Sequence, residues 1–127
     1  MAYRIFAINP GSTSTKIAMF EDDRKIFSTN VAHDAEELKK YKEISNQFDY
    51  RKDTILAEVA KAGLTLEGCA AFSGRGDGLV SCPGGTYTVN AKLYEHAKIC
   101  FAVKHPAVLG AQLAKYFATF TAQKHSL

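Results

Sequence analysis

The segment Asn9-Pro10-Gly11-Ser12-Thr13-Ser14-Thr15-Lys16 lies between two short apolar runs, and no other feature constrains the chain as much. Its flanks, residues 3–8 (Tyr-Arg-Ile-Phe-Ala-Ile) and 16–20 (Lys-Ile-Ala-Met-Phe), have the length and the branched and aromatic content of strands. Two strands joined so closely form a hairpin, so the segment is a reversal and not the entry to a helix. Its chemistry suits a polyphosphate. Gly11 lets backbone N–H groups approach an anion, the hydroxyls of Ser12, Thr13, Ser14 and Thr15 are donors, and Lys16 adds a point charge with several N–H donors. A Walker A loop is excluded, because it needs a second glycine before the lysine and a helix after it, and Thr15 holds that place. The plain alternative is a Ser/Thr-rich turn, since Asn-Pro and Gly-Ser are common loop punctuation.

The rest of the chain reads as one α/β domain, with three early antiparallel strands followed by alternating helices and strands. Asp22-Asp23 turns the chain into a third strand over residues 25–31. Glu36-Glu37-Leu38-Lys39-Lys40 is a solvated helical face. Asp49 is placed to cap a helix over residues 49–62, with Ile55, Leu56 and Val59 as its apolar stripe and Gly63 as the left-handed residue past its end. Cys69-Ala70-Ala71-Phe72 reads as a buried strand ending in Ser73-Gly74-Arg75-Gly76, at a sheet edge where α/β proteins hold ligands. Asn90 caps a short helix over residues 91–98. Pro106 opens a final helix with Leu109, Leu113, Phe117 and Phe120 on one face and Gln112, Lys115 and Thr119 on the other.

Within 127 residues the chain has room for one core. A net charge of +3, with 16 basic residues scattered among 13 acidic ones, gives no stripe for nucleic acid and no membrane-surface patch. No run approaches the ~20 apolar residues of a membrane span, and the start has no signal-peptide pattern, so a cytoplasmic location is expected. Cys69, Cys82 and Cys100 are odd in number and lack C-x-x-C spacing, which argues against disulfides and zinc.

Two further side chains are candidates. The Arg75 guanidinium, flanked by Gly74 and Gly76, is open to a carboxylate or phosphate, although a surface arginine in a flexible loop satisfies the same pattern. His105, just before Pro106, is placed either to donate to a phosphoryl group at a helix start or to cap its own helix. Asp77 puts a carboxylate beside the expected anion site and opposes binding there. His33, His96 and His125 have no partner in the sequence that would suggest a ligand or base.

The hairpin segment resembles the first phosphate-binding motif of the acetate and butyrate kinase family, within the sugar kinase, Hsp70 and actin group. Pro10 and Thr13 bring it closer to the butyrate branch. The resemblance recurs at Ser45-Asn46-Gln47-Phe48-Asp49-Tyr50-Arg51-Lys52, at Gly74-Arg75-Gly76, at Pro83-Gly84-Gly85-Thr86-Tyr87-Thr88-Val89-Asn90 and at His105, and extends to about Phe120. At Asp77, and after His105 (Pro106-Ala107-Val108-Leu109-Gly110), the chain departs from it.

The resemblance implies a ribonuclease H-like domain, a mixed sheet with flanking helices, as the N-terminal part of a kinase. The implied reaction converts a short-chain carboxylate such as butyrate, with ATP and Mg²⁺, to an acyl phosphate and ADP. Asn9, Gly11, Ser12, Thr13, Ser14 and Lys16 then bind phosphate, Arg75 and Gly76 bind the acid, and Arg75 and His105 serve the chemistry. A second domain is expected to complete the cleft. Residues 1–127 alone are therefore expected to be inactive, and to self-associate through an apolar surface including Leu113, Phe117 and Phe120. The alternative is a non-catalytic remnant that at most binds an anion or a protein.

Overall fold

A computed structural model describes residues 3–42, 44–75 and 109–125. Strands β1 (Arg4–Pro10), β2 (Ser14–Glu21) and β3 (Arg24–Ala32) form an antiparallel meander, and β4 (Cys69–Gly74) joins it parallel to β1, giving the order β3-β2-β1-β4. The sheet is therefore mixed, and with its helices the fold is α/β. Residues alternate across it as strand periodicity demands. Phe6, Ile8 and Pro10 of β1 and Thr15, Ile17 and Met19 of β2 are buried on one face, while Asn9, Lys16 and Ala18 belong to the other.

The buried face is covered by α2 (Phe48–Lys61) and α3 (Leu109–His125). Ile55 and Val59 are buried from α2, with Leu56 partly buried beside them. From α3, Leu109, Leu113 and Phe117 are fully buried, at spacings that put them on one stripe. The Phe117 ring lies 6.2 Å from Phe6 and 6.2 Å from Phe72, and Tyr116 meets Phe48 edge-on at 5.7 Å. Leu113 and Phe117 are thus core residues, and not part of the exposed apolar surface expected from the sequence; the side chain of Phe120 lies outside the described residues. Gln112, expected on the outer face, is also buried, whereas Lys115 and Thr119 are exposed.

The ends of the elements follow local chemistry. A short helix α1 (Ala35–Leu38) is capped by the Asp34 carboxylate, which accepts from the Glu36 N–H at 2.9 Å. Helix α2 begins one residue before the cap expected at Asp49, and its N-cap Gln47 makes no capping bond. Asp49 instead sits in the first turn beside Lys52, at 3.5 Å. At the other end Gly63 takes φ 75°, its N–H donating to Ala60 O at 3.0 Å while the Leu64 N–H reaches Val59 O at 3.1 Å, the paired bonds of a Schellman stop.

Strand β4 is less buried than its apolar sequence suggests. Ala70, Ala71 and Ser73 are exposed, because among the described residues β4 is an edge strand covered on one face only. The expected helix over residues 91–98 and the segments around Gly76, Asp77, Pro83 to Asn90 and His105 lie outside the described residues.

Candidate functional site

On the sheet face away from α2 and α3, strand register builds two rows across the center. Ala18, Ala7 and Ser73 are directly paired across β2, β1 and β4. The next row begins with Lys16 paired to Asn9, and Arg75 follows one residue after Gly74, the partner of Ile8. The Arg75 N–H donates to the Ile8 carbonyl at 2.9 Å, which carries the parallel ladder one step past the strand.

Small side chains in the first row leave a floor, and the polar second row stands along it. The resulting cleft of about 230 Å³ is lined by Ala7, Ile8, Asn9, Lys16, Ile17, Ala18, Ser73 and Arg75. Among the described residues its lining carries two cations and no carboxylate. Among the described residues neither Lys16 nor Arg75 is in an ion pair. The volume is below the ~300–1,000 Å³ of sites for drug-sized ligands.

Close backbone packing fixes Arg75. A Cβ on Gly74 would collide with the Gly110 carbonyl, and one on Gly110 with the Arg75 carbonyl. These two glycines let the first turn of α3 rest directly on the end of β4.

The hairpin turn itself is built differently from the hydroxyl cradle that its sequence suggests. The Gly11 N–H donates to Ser14 O at 2.7 Å, leaving Ser12 and Thr13 as an exposed two-residue tip. Neither tip residue has positive φ, so this is not a primed turn of the kind such short hairpins favour. Other parts of the chain hold it. The His33 N–H donates to Thr13 O at 2.8 Å. From α2, Arg51 donates through Nη2 to Ser12 O (3.3 Å) and through Nη1 to both Ser14 O (3.2 Å) and Thr15 Oγ1 (3.1 Å). Its Nε donates to Gln47 Oε1 at 3.1 Å.

Of the six residues expected to bind phosphate, Asn9 and Lys16 line the cleft; Gly11, Ser12, Thr13 and Ser14 form the turn beside it and are not among the lining residues. Thr15 is fully buried and faces the core side. Arg75 shares the cleft with Lys16. Gly76 and His105 lie outside the described residues.

His33, for which the sequence shows no partner suggesting a ligand or base, is enclosed by its neighbours in the structure. Its Nε2 is 2.7 Å from Thr15 Oγ1, its ring tilts against Tyr50 at 5.2 Å, and its Nδ1 is buried without a hydrogen-bond partner among the described residues. Burial, and then the charge of Arg51, push its pKa down from 6.5 to about 4, so it is neutral at ordinary pH. Arg51 is completely buried, and burial lowers its pKa to about 10, which leaves it cationic.

Arg51 and Gln47 escaped the sequence reading, although a signal was present. Arg51, Ile55 and Val59 are spaced by four, so an arginine stands on the apolar stripe of α2, with Gln47 one further turn back. A charge on a buried stripe calls for partners. No known protein-family model matches the sequence.

Proposed function

We propose that this chain supplies the phosphate-binding wall of an ATP-dependent kinase for short-chain carboxylates, with butyrate the closest candidate acceptor. The observation that carries the reading is the joint position of Lys16, Asn9 and Arg75 along one small cleft at the end of the central hairpin, whose lining among the described residues has no carboxylate. A sheet whose first three strands are antiparallel and whose fourth runs parallel to the first accords with the ribonuclease H-like domain that the sequence resemblance implies.

In this reading Lys16 and the Asn9 side chain hold phosphate oxygens, and the Arg75 fork orients the acceptor carboxylate. A carboxylate oxygen attacks the γ-phosphorus in line, the new C–O–P linkage forms, the bond from the γ-phosphorus to the bridging oxygen breaks, and ADP departs with the electron pair. Neither nucleophile nor leaving group needs a proton, so the work is positioning and charge neutralization. Among the described residues no cluster of His, Cys, Asp or Glu fits a metal ion. Mg²⁺ would therefore be held mainly by the phosphates of ATP, as is usual for this ion, and would supply charge neutralization.

Titration calorimetry of the 127-residue chain with tripolyphosphate and with MgATP tests the first half of the assignment. Lys16→Ala is expected to weaken both by about tenfold or more, the size of a charge-assisted hydrogen bond of ~1.5–3 kcal/mol. Arg75→Ala is expected to remove butyrate binding and leave most phosphate affinity. Equal phosphate affinities in wild type and Lys16→Ala overturn the reading.

A further inference from the structure

Arg51 is a fully buried guanidinium whose partners among the described residues are all neutral: the Gln47 amide, the Thr15 hydroxyl and the carbonyls of Ser12 and Ser14. Among the described residues it is in no ion pair with a carboxylate. Buried charges in proteins are ordinarily paired, because removing an ion from water costs several kcal/mol. Among the described residues no carboxylate compensates it, and the guanidinium lies directly behind the turn beside the cleft.

The same bonds orient the turn. Each peptide unit points its N–H opposite to its C=O. Three successive carbonyls are drawn toward the protein, Ser12 O and Ser14 O by Arg51 and Thr13 O by the His33 N–H. The amide that follows Ser12, on Thr13, is thereby turned outward with the Ser12 and Thr13 side chains at the exposed tip. An approaching anion meets donors, with the repelling carbonyl dipoles directed away from it.

We propose that Arg51 is the positioning residue of the hairpin and that a phosphate chain bound on the turn completes its charge. The inference rests on the reading of the hairpin as an anion site. It predicts that Arg51 contributes to anion affinity without touching the anion, through its field and through the carbonyls it retains.

The test compares thermal unfolding of wild type, Arg51→Met and Arg51→Lys over a concentration series of tripolyphosphate, with sodium chloride at matched ionic strength as control and MgATP as a second arm. A merely structural arginine shifts the melting temperature without ligand; the positioning role shifts the ligand-dependent increment. Arg51→Met is expected to need about tenfold more tripolyphosphate for the same increment, from the loss of one unit charge close behind the site. Arg51→Lys, which keeps the charge and loses the fork, should fall between the two.

A wild type that does not respond to tripolyphosphate overturns the anion site and this inference together, and so does a response to MgATP alone. A wild type that responds while folded Arg51→Met responds at the same concentrations overturns the inference and leaves the site standing. Should Arg51→Met not fold, the Arg51 Nε–H signal of ¹⁵N-labelled wild type decides: it is expected to shift on saturation with tripolyphosphate, and an unchanged signal refutes the role.

Discussion

Acid should destabilize this protein through one imidazole. His33 is held neutral by burial and by the adjacent Arg51 cation, with its pKa near 4 against 6.5 when free. The sign follows from which state takes the proton. Between those two values the unfolded chain binds a proton that the folded chain refuses, so stability is intact above 6.5 and is lost as pH falls toward 4. For a single site with these two constants the loss is about 1 kcal/mol at about pH 5.5 and about 2–3 kcal/mol at about pH 4.5, relative to about pH 7.5. The groups around the ring are Thr15 from β2, Arg51 and Tyr50 from α2, and Asp34 next in the chain; none of those in contact with it is a carboxylate. A domain of this size has ~5–15 kcal/mol in total, so the effect is a sizeable fraction.

Urea unfolding at these pH values, for wild type and His33→Gln, measures it. Glutamine keeps an amide within reach of Thr15 and does not titrate. Exposed pairs such as Lys39–Glu36 and Lys40–Glu37 are common to both proteins and cancel in the difference. The expected result is a steeper acid loss in wild type, with the gap between the two proteins closing by about 2–3 kcal/mol from about pH 7.5 to about pH 4.5. Parallel pH profiles would show that the ring does not hold its neutral form in the folded state, and the reasoning would fail.

Phe117→Ala should cost about 3–5 kcal/mol, since the ring is fully buried between Phe6 and Phe72 and its removal leaves a cavity; an unchanged urea midpoint would contradict the packing of α3 on β1 and β4. Gly110→Ala should cost at least the ~1–3 kcal/mol of an overpacked core, because the new methyl meets the Arg75 carbonyl, which is backbone and cannot swing aside. It should also displace Arg75, so butyrate affinity in the surviving folded fraction is expected to fall together with the melting temperature.

The strands were legible in the sequence because each carries its own signal. The alternation of Phe6 and Ile8 in β1 and of Ile17 and Met19 in β2 fixes both faces, and so fixes Asn9 and Lys16 opposite the core. Gly63 was equally readable, since a left-handed stop after an apolar stripe is a local event. The depth to which the first turns of α3 are buried was not: Gln112 sits where a polar residue reads as outward, yet the close seating of α3 on β4, permitted by Gly74 and Gly110, buries it too. Contacts between distant elements decided that, and no window of sequence contains them.

The hairpin shows why the site was only half legible. Four adjacent hydroxyls look interchangeable from their order, yet Thr15 is fully buried and bonded while Ser12 and Thr13 are exposed. What divides them is strand parity at Thr15 and, across the turn, a guanidinium contributed 36 residues later from the stripe of α2. Seven residues, Gln47, Arg51, Thr15, His33, Ser12, Thr13 and Ser14, join in hydrogen bonds behind the turn, and where Arg51 and Thr15 are fully buried water cannot replace a lost partner. On the open side Lys16, Asn9 and Arg75 line the cleft, and among the described residues neither cation is in an ion pair. A turn fastened from behind in this way loses little conformational freedom when an anion arrives, so more of the charge attraction remains as affinity.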